Sequence, residues 1–184
     1  MSAATGRAQR RQGRPMSTAP DRRAPKDREQ PWSDDPPQYG QVVAVTDNPI
    51  GRAVVQIAQL AGRRATLLPD EDPEQSPLEW LTDHPLDEQD ALVLCDHDTP
   101  QMEALLRHAL AGNAGYIAMM GSRRRAEHVF STLAASVPAQ ALVRLRVPAG
   151  LDIGGKAPGE IALSVVAEVV AVSHGRGGGP MKAH

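Results

Sequence analysis

The side chains able to do chemistry fall in five short stretches: TDNPIG at 46–51, PDED at 69–72, CDHD at 95–98, MGSRRR at 120–125 and LDIGGKAPGE at 151–160. In the fourth, an apolar run gives way within two positions to Gly121, Ser122 and three arginines, Arg123, Arg124 and Arg125. Gly121 permits a tight strand-to-helix turn and Ser122 is a strong N-cap, so the free N–H groups of a first helical turn stand beside guanidinium groups. That is an anion site, suited to a phosphate or a carboxylate. Arginines in a first turn oppose the helix dipole, where Asp or Glu would stabilise. The competing account is that they radiate into solvent or pair with the acidic loops.

In TDNPIG only the third glycine of a dinucleotide fingerprint survives, as Gly51. The second glycine lets a pyrophosphate approach the backbone; the side chain of Asn48 obstructs that approach, and Asp47 repels phosphate. NAD(P) binding in the usual manner is therefore disfavoured, with Asn48 and Gly51 still facing whatever the loop holds. Asp70 stands about where a ribose-binding acid is expected, or is a solvated loop acid. Asp96, His97 and Asp98 offer carboxylate and imidazole groups to a ligand or a divalent cation. Adjacent residues on one loop rarely complete a metal site, so no metal is assigned. Cys95 closes an apolar strand and reads as an inert buried thiol. Asp152 sits on a glycine-flanked turn, and Glu160 falls in a first helical turn opened by Pro158, where its carboxylate complements the dipole. A well-capped helix explains that stretch; a functional account has Asp152 and Lys156 facing the cleft beside Gly121.

These stretches sit between apolar segments that alternate strand and helix. QVVAV at 41–45, ATLL at 65–68, ALVLC at 91–95, YIAMM at 116–120 and ALVRLRV at 141–147 read as strands. Pro49 opens a helix carrying Ile50, Val54, Ile57, Ala58 and Ala61 on one face. Trp80 and Leu81 form one helical turn after an acidic, proline-rich loop. Thr99 caps and Pro100 opens a helix with Met102, Leu105, Leu106, Ala109 and Leu110 inward, and further helices run over about 122–135 and from Pro158 to about Ser173. The pattern predicts an α/β, doubly wound, Rossmann-like fold: a mostly parallel five-stranded sheet with helices on both faces. Ligands of such sheets bind outside the carboxyl ends of the strands, near the point where strand order reverses.

One domain is expected, over residues 39–174, followed by a flexible end at 175–184 with Gly175 placed to stop the last helix. Residues 1–38 hold eight Lys or Arg, five Asp or Glu and six prolines, with almost no large apolar residue besides Trp32. Such a segment is expected to be a disordered, mildly basic tail, and without interleaved aromatics it reads as solvated, not as a nucleic-acid arm. Met16 is an alternative start. Net charge is −2, and no apolar run approaches the length of a spanning helix. A single cysteine excludes an internal disulfide and a thiolate zinc cluster. Together these point to a cytoplasmic protein with no membrane or nucleic-acid partner. The last helix is apolar nearly all round, which one sheet face cannot bury alone; a homodimer contact or a separate domain is expected to cover it.

YIAMMGSRRR at 116–125, followed by RVPAGLDIGGKAPGEIALSVVAEVVA at 146–171, resembles the C-terminal Rossmann-like domain of the XdhC/CoxI accessory proteins, which mature molybdenum hydroxylases such as xanthine dehydrogenase. The likeness covers about residues 40–173 and is strongest after 116. It implies an accessory protein, more a cofactor chaperone than an enzyme, that binds the molybdenum cofactor or its pterin and helps insert it into an apo-hydroxylase. Gly121, Ser122, Arg123 and Arg124 would then hold the cofactor's phosphate, with Asn48, Gly51, Asp96, His97 and Asp152 as further contacts. The apo-hydroxylase, a sulfurase and a separate cysteine-bearing domain are the implied partners; full-length members carry a cysteine motif in an N-terminal domain with no counterpart in residues 1–40. An NAD(P)-binding oxidoreductase and a degenerate scaffold acting only through protein partners are the alternatives.

Overall fold

The computed structural model describes residues 39–181; the tail expected at 1–38 lies outside the described residues. The elements run β1 (Val42–Val45), α1 (Pro49–Leu60), β2 (Ala65–Leu68), α2 (Pro77–Asp83), β3 (Ala91–Leu94), α3 (Met102–Ala111), β4 (Tyr116–Met119), α4 (Arg123–Ala134), α5 (Ala139–Leu142), β5 (Leu145–Arg146) and α6 (Pro158–Ser173). Every strand pairing is parallel, in the order β2-β1-β3-β4-β5. The sheet is thus wholly parallel, where the sequence pointed to a mostly parallel one. The order reverses between β1 and β3, which makes the gap above those two strands the crevice of the fold.

Strand periodicity assigns the core to two layers. Val43, Val45, Leu92, Leu94, Ile117 and Met119 face α2, α3 and α4, where Leu81, Leu105, Leu106, Val129 and Leu133 meet them. Their sequence neighbours Val42, Ala44, Ala91, Val93, Tyr116 and Ala118 face α1 and α6 through Val54, Ala58, Ala162, Val165 and Val169. Burial on both faces explains why the strands are continuously apolar. In register, Val45 lies between Leu68 and Leu94, and Leu94 beside Met119. Four strands therefore end level, and their following loops form one rim.

Several boundaries differ from the sequence reading. The region expected as a seven-residue fifth strand holds the one-turn α5 and only the two residues of β5. Just before β5 the Arg144 guanidinium donates to the carbonyls of Leu110 (2.6 Å), Gly112 (2.9 Å) and Ala114 (2.8 Å), clamping the end of α3, while the Arg144 carbonyl accepts from the Ile117 N–H at 3.1 Å, where the pairing with β4 begins. α2 spans seven residues, not one turn, because Ser76 and Glu79 form a capping box. α3 begins at Met102 behind Gln101 in the left-handed region (φ 58), since the Thr99 hydroxyl points to Thr46 and the Asp96 carbonyl instead of capping the helix. The last helix ends as expected, Gly175 following it at φ +63. Residues 175–181 carry no regular structure, although Gly178 approaches the side chain of Leu151. Intramolecular packing covers most of α6: Ala162, Val165, Val166 and Val169 are buried, leaving Leu163 half exposed.

Candidate functional site

At the carboxyl end of β1 the chain enters α1 through residues that close on themselves. Asn48 is the N-cap: its Oδ1 accepts from the backbone N–H of Ile50 and of Gly51, each at 2.9 Å, and its Nδ2 donates to the carbonyl of Cys95 at 2.9 Å. Gly51 is needed for packing, because a Cβ there would lie 2.3 Å from the Thr46 carbonyl oxygen. Asp47 pairs with Arg52 at 2.5 Å, which holds its carboxyl below the usual range. Thr46 occupies the place of the first fingerprint glycine and adopts a glycine-like φ of 87, a costly conformation for a β-branched residue. Buried hydroxyl contacts hold it there: its Oγ1 lies 3.1 Å from Asp70 Oδ1 and 2.8 Å from Thr99 Oγ1.

Asp70 and Asp96 stand on neighbouring loops of the rim. Burial first, then the charges of Asp96 and Glu71, raise the Asp70 carboxyl above its ordinary value against the opposing Thr46 hydrogen bond. Cys95 is buried, and burial with the same two aspartates pushes its thiol up to about 12. It stays protonated and unreactive at neutral pH, as its position at the end of β3 indicated.

Arg125 and His97 link the β3 loop to the β4 end. Ser122 caps α4, accepting from the Arg125 N–H at 3.2 Å. The Arg125 stem folds back over Gly121, where an added Cβ would meet its Cγ at 3.3 Å. Its Nη2 reaches the His97 carbonyl and Asp98 Oδ1, both at 2.8 Å. The His97 ring lies between Asp96 (3.2 Å) and Asp98 (3.1 Å). The donor atoms of Asp96, His97 and Asp98 lie within 4.8 Å of one another. Metal-ligand atoms need that spacing, but these groups already hold one another, His97 lying against both carboxylates and Arg125 against Asp98. The trio is better described as an anchored loop.

Beside it lies an open groove of about 520 Å³ lined by His97, Asp98, Ser122, Arg124, Arg125 and His128. Arg124 is exposed and makes no ion pair among the described residues. The structure thus unites Ser122, Arg124 and His97 of the expected site. Arg123 is exposed and does not line the groove. Asp152 and Lys156 are exposed on the loop after β5 and do not line it either. His128 escaped the sequence reading; its position one turn after Arg124, at i+4, was the available signal.

The 148–154 loop is held from beneath. Glu168 Oε2 accepts from the Tyr116 hydroxyl (2.6 Å) and the Gly150 N–H (2.8 Å), with Arg146 3.7 Å from Oε1. Gly150 itself, at φ +95, passes so near α6 that a Cβ would lie 2.4 Å from Ser164 Oγ. Glu160 accepts from the N–H groups of Lys156 and Ala157 at 3.0 Å each, which keeps its carboxyl below the usual range and caps α6. The helix is thus capped as Pro158 and Glu160 indicated.

The fold has counterparts among known proteins. A family model described as the XdhC Rossmann domain matches residues 42–169, more than two thirds of the chain. The chain belongs to that family. An XdhC Rossmann domain accounts for the parallel sheet and for both motifs on which the resemblance rested. A crystal structure from Bacillus halodurans, described as that of a xanthine dehydrogenase, superposes with a TM-score of 0.61 at 19% identity, over 75% of this chain and 44% of that one. At that identity the likeness is one of fold, and this chain spans less than half the length of that protein. Comparison with curated protein sequences gives no significant match. No helix among the described residues is long and apolar enough to cross a membrane.

Proposed function

We propose that this XdhC domain is an accessory factor for molybdenum hydroxylases of the xanthine or carbon monoxide dehydrogenase type, holding the molybdenum cofactor or its pterin as cargo and assisting its insertion. The supporting observation is the groove at the head of α4, where Arg124 and the Ser122 turn face solvent beside the paired Arg125 and Asp98. A pterin phosphate matches its two ends. The phosphate is met by the Arg124 guanidinium and the N–H groups of Arg123 and Arg124 at the helix start, while the amino and amide donors of a pterin ring find a carboxylate acceptor in Asp98 on the groove wall. His97 and His128 close the sides. On this reading the groove carries its cargo for delivery to another protein.

The partners follow from that role: an apo-hydroxylase to receive the cargo, with a sulfurase or a cysteine-bearing domain to act on it. Leu163 and Ile153, each about half exposed on α6 and the loop before it, supply an apolar contact for such a domain or for a second copy of the chain. Native mass spectrometry of protein expressed in a cofactor-producing host tests the reading. A bound mass equal to a pterin cofactor is expected; protein carrying no added mass would leave the scaffold reading, which the internal pairing of Arg125 with Asp98 favours.

A further inference from the structure

The loop at 46–51 has more of a diphosphate site than its sequence shows. Thr46 takes the backbone conformation that a first glycine usually supplies, at φ 87. Gly51 gives the close helix-to-strand approach, α1 is a full twelve residues with its N-terminus at the crevice, and Asp70 follows β2 where a ribose-binding carboxylate stands in dinucleotide folds. One requirement is missing, the open space that a second glycine leaves. Asn48 fills that space and does the ligand's work: Oδ1 takes the N–H groups of Ile50 and Gly51, while Nδ2 reaches across the reversal point to the Cys95 carbonyl.

We infer that Asn48 is a specificity-determining residue, an internal surrogate for a pyrophosphate that latches a dinucleotide site shut. The N–H groups at the head of α1 are already satisfied by an uncharged side-chain oxygen. An entering diphosphate must displace that oxygen and break the tie to β3 before gaining a contact, and Asp47, Asp70 and Asp96 add no attraction for it. The latch confines anionic ligands to the other end of the rim. This holds whatever the α4 groove carries, since it concerns a different helix.

The test uses the whole chain, with NADH and inorganic pyrophosphate as probes. Fluorescence titration of wild-type protein with NADH is expected to show no saturable binding at millimolar concentration. Asn48→Gly removes the latch and leaves a residue tolerated at an N-cap; affinity for NADH is expected to rise by about tenfold or more, with pyrophosphate competing. Asn48→Asp keeps an acceptor over both N–H groups and adds a negative charge, so no gain is expected. The gain must persist in an Arg124→Ala background, which separates the α1 site from the α4 groove. Saturable wild-type binding competed by pyrophosphate overturns the inference. So does an Asn48→Gly protein with native circular dichroism and cooperative melting that gains nothing, or an Asp variant that gains as much as the Gly variant.

Discussion

Glu168 offers the sharpest stability test. Its carboxylate, 14% exposed, is the acceptor for the Tyr116 hydroxyl and the Gly150 N–H, and it faces Arg146. Replacing it with alanine leaves a donor on the buried Tyr116 and another on Gly150 with no partner. Each unsatisfied donor costs about 1–3 kcal/mol, so Glu168→Ala should lose about 3–5 kcal/mol with the packing lost alongside. Glu168→Gln retains a carbonyl oxygen able to take both bonds and gives up only their charge-assisted part, about 1 kcal/mol. Tyr116→Phe should cost about 1–2 kcal/mol, and in the double variant with Gln the two losses should fall short of their sum, since the residues share one bond. Urea denaturation measures these values, and melting temperatures should fall by about 2–4 °C per kcal/mol. Equal losses for the alanine and glutamine variants, or an alanine loss below about 0.5 kcal/mol, would refute the assignment of Glu168 as the fastener of the 148–154 loop.

Other outcomes follow from the same geometry. Arg144→Ala should destabilise the chain by about 2–3 kcal/mol by freeing the three carbonyls at the end of α3, and Arg144→Lys should recover only part of that, as an ammonium cannot span all three; urea midpoints decide. Asp70 holds its proton more tightly folded than unfolded, so its contribution is favourable below the ordinary value of 3.8 and is lost as pH rises through the folded value. Asp70→Asn should therefore be at least as stable as wild type at neutral pH, with its relative advantage shrinking toward pH 3.8; a wild type more stable at neutral pH would contradict the sign.

What the sequence disclosed and what it hid divide along the range of the interactions. β1 to β4 and α1, α4 and α6 were legible because β-branched runs, Pro49, Ser122 and Pro158 act within a few residues of themselves. The shortened β5 was not, for the segment leading into it is tied by the Arg144 guanidinium to carbonyls thirty or more residues away. The start of α3 was misplaced for a similar reason: Thr99 is a good cap by type, yet its hydroxyl is drawn to Thr46 across the crevice. In the site, composition showed that three arginines cluster; which of them face the groove depends on the Arg125 stem lying over Gly121 and on Asp98 from another loop. Asn48 was legible as the residue standing where a second glycine is expected, but its bond to Cys95, forty-seven residues on, was not.

The central claim, that the α4 groove receives a phosphate-bearing pterin, is tested most directly by equilibrium titration of wild type and Arg124→Ala with a pterin phosphate at two salt concentrations. Losing one charge-assisted contact should weaken binding by roughly tenfold to a hundredfold, with wild-type affinity falling as salt rises. Equal affinity for the two proteins, or wild-type binding indifferent to salt, would contradict it.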